Sequence, residues 1–209
     1  MLAVVCALSM IAPAFSAAGV QEDKAQFSVT PGLLSFQAPP ALPTLSSIAL
    51  NGKAQTTNAS MTPFVVVDAT GTGSGWNLTV EGQSGTGRSA VFAQYCPNAK
   101  CGSDSEGYVS GGQTLPADSL TLSSTGASFV GQLGTVGNAP TLQCSTACNV
   151  DHGSAVKIAS AAKEAGLGTW RTTGFVATSL ALVTPSTLKV IPNEEVFRVN
   201  EVWSLTSGP

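Results

Sequence analysis

Charge is scarce in this chain. Asp, Glu, Lys and Arg make up 10% of the 209 residues, and the formal net charge is -3. Without a basic excess there is no electrostatic footprint for nucleic acid or for an anionic membrane surface. Histidine is almost absent: His152 stands alone, so a site built on several imidazoles is excluded. No apolar run reaches the roughly 20 residues that a membrane-spanning helix needs. Long stretches with helical periodicity are missing too, which argues against a helical bundle or an alternating α/β fold. What is present in quantity is Gly (22), Pro (12), Ser and Thr, set between short apolar runs. That pattern predicts many strands joined by turns, in a single domain of ordinary size.

Residues 2–12 are apolar, and Pro13 and a patch of small residues through Ala18 follow. This reads as an export signal over residues 1–18, cleaved after Ser16 or Ala18, which leaves a mature domain at 19–209. No Lys or Arg precedes the run, which points to Met1 as an interior residue of a longer signal. The alternative, a buried N-terminal strand or helix, fits the small-residue exit less well. Cleavage removes Cys6 and leaves Cys96, Cys101, Cys144 and Cys148. An even number of cysteines in an exported chain predicts two disulfides, with three connectivities open. The local pairs Cys96–Cys101 and Cys144–Cys148 are favoured. Such short loops gain little chain entropy on closure, so they would pin loops more than hold the fold.

Along the chain, residues 26–30 alternate as a strand and meet the Pro31-Gly32 turn, after which 33–36 starts a second strand. Pro39, Pro40 and Pro43 keep the next stretch extended, and 46–50 leads into a hairpin signal at Asn51-Gly52. Residues 64–68 read as a strand buried on both faces, 69–75 as a Gly/Thr/Ser turn, and 76–80 as a returning strand. Residues 82–151 are polar and Gly-rich, an irregular insertion with a clear strand at 119–123. Residues 154–165 fit either a helix or a strand. Further short strands are expected at 169–173, 178–183 and 188–191. Residues 195–206 form the longest candidate, with Phe197, Val199, Trp203 and Leu205 on one face and Glu201 interrupting it.

Trp76-Asn77-Leu78 and Trp203-Ser204-Leu205 place Trp and Leu two residues apart, so in a strand each pair shares a face. Together with Val65-Val66-Val67-Asp68, the 71–75 turn, Val202 and the Gly168-Thr169-Trp170 region, this doubled motif resembles the WxL domain of bacterial surface proteins. The resemblance implies an extracytoplasmic β-rich domain attached non-covalently to the Gram-positive cell wall, with peptidoglycan as ligand and other surface proteins as further partners. The four-cysteine region departs from the motif. No adhesin domain precedes the motif and no sorting signal follows it here, which agrees with non-covalent retention and no transmembrane anchor.

Each chemical reading has a plainer rival. Trp76, Leu78, Trp203 and Leu205 could form a platform for a glycan, but their alternation fits a core better. Cys144, Cys148 and His152 are spaced like zinc ligands, with Cys96 and Cys101 to complete the set, but export favours oxidation. Asp104-Ser105-Glu106 lacks the alternating oxygens of a calcium loop. Residues 85–90 match a relaxed dinucleotide fingerprint without the βαβ unit it requires. The serine of 71–75 is misplaced for a nucleophile elbow, and nothing singles out an acidic pair. The expectation is therefore an all-β, two-sheet, mostly antiparallel sandwich with a loop-rich, disulfide-containing insertion at 82–151. It would be a secreted, non-enzymatic wall-binding protein without cofactor or metal. The rivals are a structural subunit that assembles through exposed strand edges and, more remotely, a wall-active hydrolase using an acid such as Asp68.

Overall fold

The computed structural model describes residues 24–98, 101, 105–135, 137–192 and 194–208. The chain divides into two units, Met1–Thr30 and Pro31–Pro209. In the first, residues 24–30 carry no strand; alternation alone does not make a strand without a partner to pair with. The expected signal at 1–18 lies outside the described residues.

The second unit holds the strands. The first five are β1 (Leu34–Ala38), β2 (Gln55–Ala59), β3 (Val65–Asp68), β4 (Trp76–Gly82) and β5 (Ala93–Cys96). Then come β6 (Gly107–Tyr108), β7 (Leu120–Leu122), β8 (Ser128–Gln132), β9 (Thr141–Leu142) and β10 (Cys148–Asn149). The last five are β11 (Val156–Ala161), β12 (Gly168–Thr173), β13 (Leu180–Thr184), β14 (Val196–Arg198) and β15 (Glu201–Ser207). They form four antiparallel sheets, ordered β1-β3-β12-β8, β10-β7-β13-β2, β15-β4-β11-β9 and β14-β5-β6. The described residues contain no helix. The protein is all-β, as its composition suggested.

One core joins the first three sheets. Phe64, Val66, Trp76, Leu78, Leu120, Ile158 and Leu180 are almost wholly buried in it. Phe129 on β8 meets Phe64 and Trp76 edge-on, at centroid distances of 5.9 and 6.0 Å, the geometry that aromatic quadrupoles favour. The period-two pattern of β4 explains its place: Trp76, Leu78, Val80 and Gly82 are buried, and Asn77, Thr79 and Glu81 are only half so. The sheets thus face a shared interior, in a sandwich-like arrangement.

Residues 82–151 carry both disulfides and most of the long loops. They also thread β5 to β10 through all four sheets. Residues 154–165 resolve in favour of a strand: β11 lies between β4 and β9, burying Ile158, Ala159 and Ala161. The hairpin expected at Asn51-Gly52 does not form. Gly52 does adopt φ 75° and Asn51 Oδ1 accepts the Lys53 N–H, but β2 pairs with distant β13 instead of turning back. The long candidate at 195–206 is split. β14 joins β5 and β15 joins β4, with the corner held by Asn200, which bonds Ser89, Gln83 and Tyr108.

Candidate functional site: the Trp-x-Leu sheet

β4 and β15 are hydrogen-bonded neighbours, in register Trp203↔Val80, Leu205↔Leu78 and Ser207↔Trp76. Residues directly opposite in an antiparallel pair share a face. Both Trp-x-Leu copies therefore point inward. Trp76 and Leu78 have 0% exposure, and the Trp76 Nε1–H donates to the Gly166 carbonyl at 3.3 Å. This corrects the platform reading for those two residues, since a side chain with no accessible surface meets no ligand. Trp203 and Leu205 are half-buried against the core at the sheet edge. They retain some exposure because β15 has a neighbour on one side only.

The residues between Trp and Leu face the other way. Asn77 and Ser204 belong to the outer face, where Asn77 lies between Ser160 and Thr206, and Thr79 between Lys157 and Ser204. This gives two short rows of amide, hydroxyl and ammonium groups. The Asn77 Nδ2 donates to the Gly208 carbonyl at 2.6 Å, tying the end of β15 to β4.

A line of hydroxyls runs along the 69–75 turn. Thr70 Oγ1 donates to Asp68 Oδ1 at 2.6 Å, Thr70 and Thr72 hydroxyls lie 3.0 Å apart, and Thr72 and Ser74 likewise 3.0 Å. Ser74 then meets Ser207 of β15 at 2.9 Å. The turn fits because its glycines take left-handed φ. Gly75, at φ 74°, lies so close to β11 that an added Cβ would sit 2.3 Å from the Ala161 carbonyl. The spacing of Thr70, Thr72 and Ser74 at every second residue was a readable signal of this row.

Cys96–Cys101 and Cys144–Cys148 stand at disulfide distance, with Cα separations of 5.8 and 5.4 Å. These are the favoured local pairs. Among the described residues no group of three or more His, Cys, Asp or Glu is placed to hold a metal. His152 is separate from the cysteines, its Nδ1 2.9 Å from Asp118 Oδ1. Asp104 of the calcium alternative lies outside the described residues. Gly85 and Arg88 form an isolated bridge in a tight turn, with no helix following. Asp68 is occupied by Thr70, through both its backbone and its hydroxyl.

The structure brings together one acidic pair that the sequence left unmarked. Gly82 N–H donates to the His152 carbonyl at 2.7 Å, and Glu201 is the register partner of Gly82. Asp151 is fully buried, its carboxylate accepting the Ser119 and Leu120 N–H groups at 3.1 and 2.8 Å. Burial pushes the Asp151 carboxyl up to about 6, partly offset by those N–H donors. Glu201 continues the inward face of Trp203 and Leu205, and neither of its oxygens has a hydrogen-bond partner among the described residues. Burial pushes it up to about 8, and the charge on Asp151 adds to the rise. A carboxylic acid kept neutral by a dry site can serve as a proton donor. Neither carboxyl lines the cavity at 124–145 or the one at 42–50 with 188–199.

Against known proteins, no protein-family model, no curated protein and no solved structure matches this chain. Among the described residues no helix is long and apolar enough to cross a membrane.

Proposed function

We propose that this chain is a WxL-type, secreted, non-enzymatic protein that attaches non-covalently to the cell wall through peptidoglycan glycans. The observation that carries this reading is the register that makes β4 and β15 neighbours. Two Trp-x-Leu copies far apart in sequence become one structural unit. In it, the Trp and Leu side chains build the sheet and the intervening Asn77 and Ser204 help form its outer face. That face, with Ser160, Thr79, Thr206 and Lys157, offers hydroxyl donors and acceptors beside one ammonium, groups that hydrogen-bond sugar hydroxyls. Partly buried Trp203 leaves an apolar rim at the sheet edge on which a sugar C–H face can rest.

The test is co-sedimentation of the chain with purified Gram-positive peptidoglycan. Wild type should pellet. A Thr79→Ala/Ser204→Ala/Thr206→Ala variant with an unchanged melting curve should bind at least about tenfold more weakly, a loss of roughly 1.4 kcal/mol. Wild type remaining in the supernatant would sink the wall-binding reading. The second reading, assembly with its own or partner surface proteins, rests on the seven-residue β15 at a sheet edge. An edge strand presents unpaired backbone groups to another chain. Sedimentation velocity that shifts with protein concentration would favour it.

A further inference from the structure

Glu201 begins β15, the strand that carries the second Trp-x-Leu copy and has β4 as its one hydrogen-bonded neighbour. The residue is half-buried as a whole, yet both carboxylate oxygens are shut off from solvent, and neither has a hydrogen-bond partner among the described residues. A neutral acid is tolerable in such a place. A bare charge with no donor to stabilise it costs far more.

The groups around Glu201 offer that charge no relief. Its register partner Gly82 donates to the His152 carbonyl, which brings in the 151–152 segment, and the buried Asp151 carboxyl there adds a like charge. His152, on the same segment, holds Nδ1 2.9 Å from Asp118 Oδ1. In the turn after β4, Arg88 donates to Gln83 Oε1, and on β4 itself Glu81 belongs to the opposite face by alternation. At the corner before β15, Tyr108 donates its hydroxyl to Asn200 Oδ1 at 2.5 Å, and Arg198 lies over the Tyr95 ring. Among the described residues ion-pair distance is met by His152 and Asp118 alone, so no cation is paired with either buried acid.

We propose that Glu201, beside Asp151, is a proton-operated latch: protonated, it seats the first half of β15 on β4, and losing its proton releases that half. An edge strand leaves by breaking one ladder only. The released carboxylate is hydrated and its proton passes to solvent. The seated carboxyl keeps its proton up to about 8, whereas a solvated one loses it near 4.5, so opening discharges one proton across that window. Opening should therefore grow about tenfold per pH unit within the window and level off above it. Ser204 and Thr206 belong to β15, so wall attachment would weaken as pH rises; that consequence rests on the wall-binding reading, and the latch itself does not.

The Gln83 N–H bond to the Asn200 carbonyl and the Gly208 N–H bond to the Gly75 carbonyl lie at the two ends of the strand pair. By alternation between them, the N–H groups of Val202 and Ser204 point to β4. Amide hydrogen exchange of the full chain, read by NMR at several pH values and divided by the intrinsic rate at each, follows their opening. Val202 and Ser204 should be at least about tenfold less protected than Thr172, whose N–H donates to the Phe64 carbonyl in the core. Their protection should fall about tenfold per pH unit up to the plateau. Glu201→Gln, which cannot ionise, should remove that slope. Val202 protected as well as Thr172 would mean that only whole-domain unfolding responds, and overturns the proposal. So does wild-type protection that ignores pH, or a slope that survives Glu201→Gln. Wild type alone decides the first two points, whatever the variant's folding. Wild type that opens with pH but never pellets with peptidoglycan upholds the latch and removes its link to the wall.

Discussion

Trp76 is the residue whose loss the protein should tolerate least. Its indole is fully buried, edge-on to Phe129 and bonded to the Gly166 carbonyl. Trp76→Ala should cost about 3–5 kcal/mol in urea unfolding, the range for truncating a buried Trp. Trp203→Ala, at the half-buried edge position, should cost clearly less. Equal losses would show that the two copies are packed alike. Gly166 explains part of this asymmetry: at φ 72°, an added Cβ would lie 2.6 Å from Trp76 Nε1. Glu201 predicts a pH effect. Its folded-state value of about 8 lies above the ordinary 4.5, so between these limits the native state binds more protons than the unfolded chain. Stability should therefore fall as pH rises from about 4.5 to about 8. Asp151 adds a slope of the same sign between 3.8 and about 6. Glu201→Gln should flatten the upper part of that slope and raise the melting temperature at pH 8, by roughly 2–4 °C for each kcal/mol recovered. A variant that melts below wild type at pH 8 would refute the buried-acid account.

At the scale of elements, the two disulfides make a modest demand. Each closes a loop with a sequence separation of 5 or 4, which in the chain-entropy picture is worth about 2 kcal/mol. Melting in dithiothreitol should drop by several degrees and remain cooperative; collapse of the transition on reduction would give the cysteines a larger role. How much of these elements could be read beforehand depended on whether the signal was local. The faces of β4 and the inward pairing of Trp with Leu follow from alternation, which is a property of a few consecutive residues. The split at Val199-Asn200 was invisible, because the apolar pattern continues through it and only Asn200's bonds to Ser89, Gln83 and Tyr108 turn the chain. The Asn51-Gly52 signal did produce a turn, but which strand β2 pairs with was settled by β13, far along the chain. The acidic pair needed two separated segments to meet; Glu201's break in an apolar face was its one local trace.

For the whole molecule, the pairings are mostly long-range. β2 waits for β13, β3 for β12, and β4 for both β11 and β15. Loop closure must precede the stabilising contacts, so refolding should fall in the slow range of milliseconds to seconds seen for all-β domains. Stopped-flow tryptophan fluorescence would check this, and a microsecond phase carrying the full amplitude would contradict it. The all-β class was legible from composition, because Gly, Pro and short apolar runs exclude long helices wherever the strands pair. The cavity at 42–50 with 188–199 was not. It exists because a proline-rich stretch stands off the second sheet, and no spacing within either segment encodes that gap.

The hydroxyl row on the 69–75 turn has a direction. A carboxylate can only accept, so Asp68 fixes Thr70 as a donor, which leaves Thr70 Oγ1 to accept from Thr72, Thr72 from Ser74, and Ser74 from Ser207. Every O–H bond then points the same way, and the line is polarised like a short wire with its negative terminal at Asp68. Exposed Ser207, at the far end, keeps its oxygen lone pairs free for an incoming donor. Exchanging Asp68 for Asn leaves the amide oxygen to accept both the Thr70 N–H and the Thr70 O–H, so the row keeps its direction and loses only the full negative charge at its terminal.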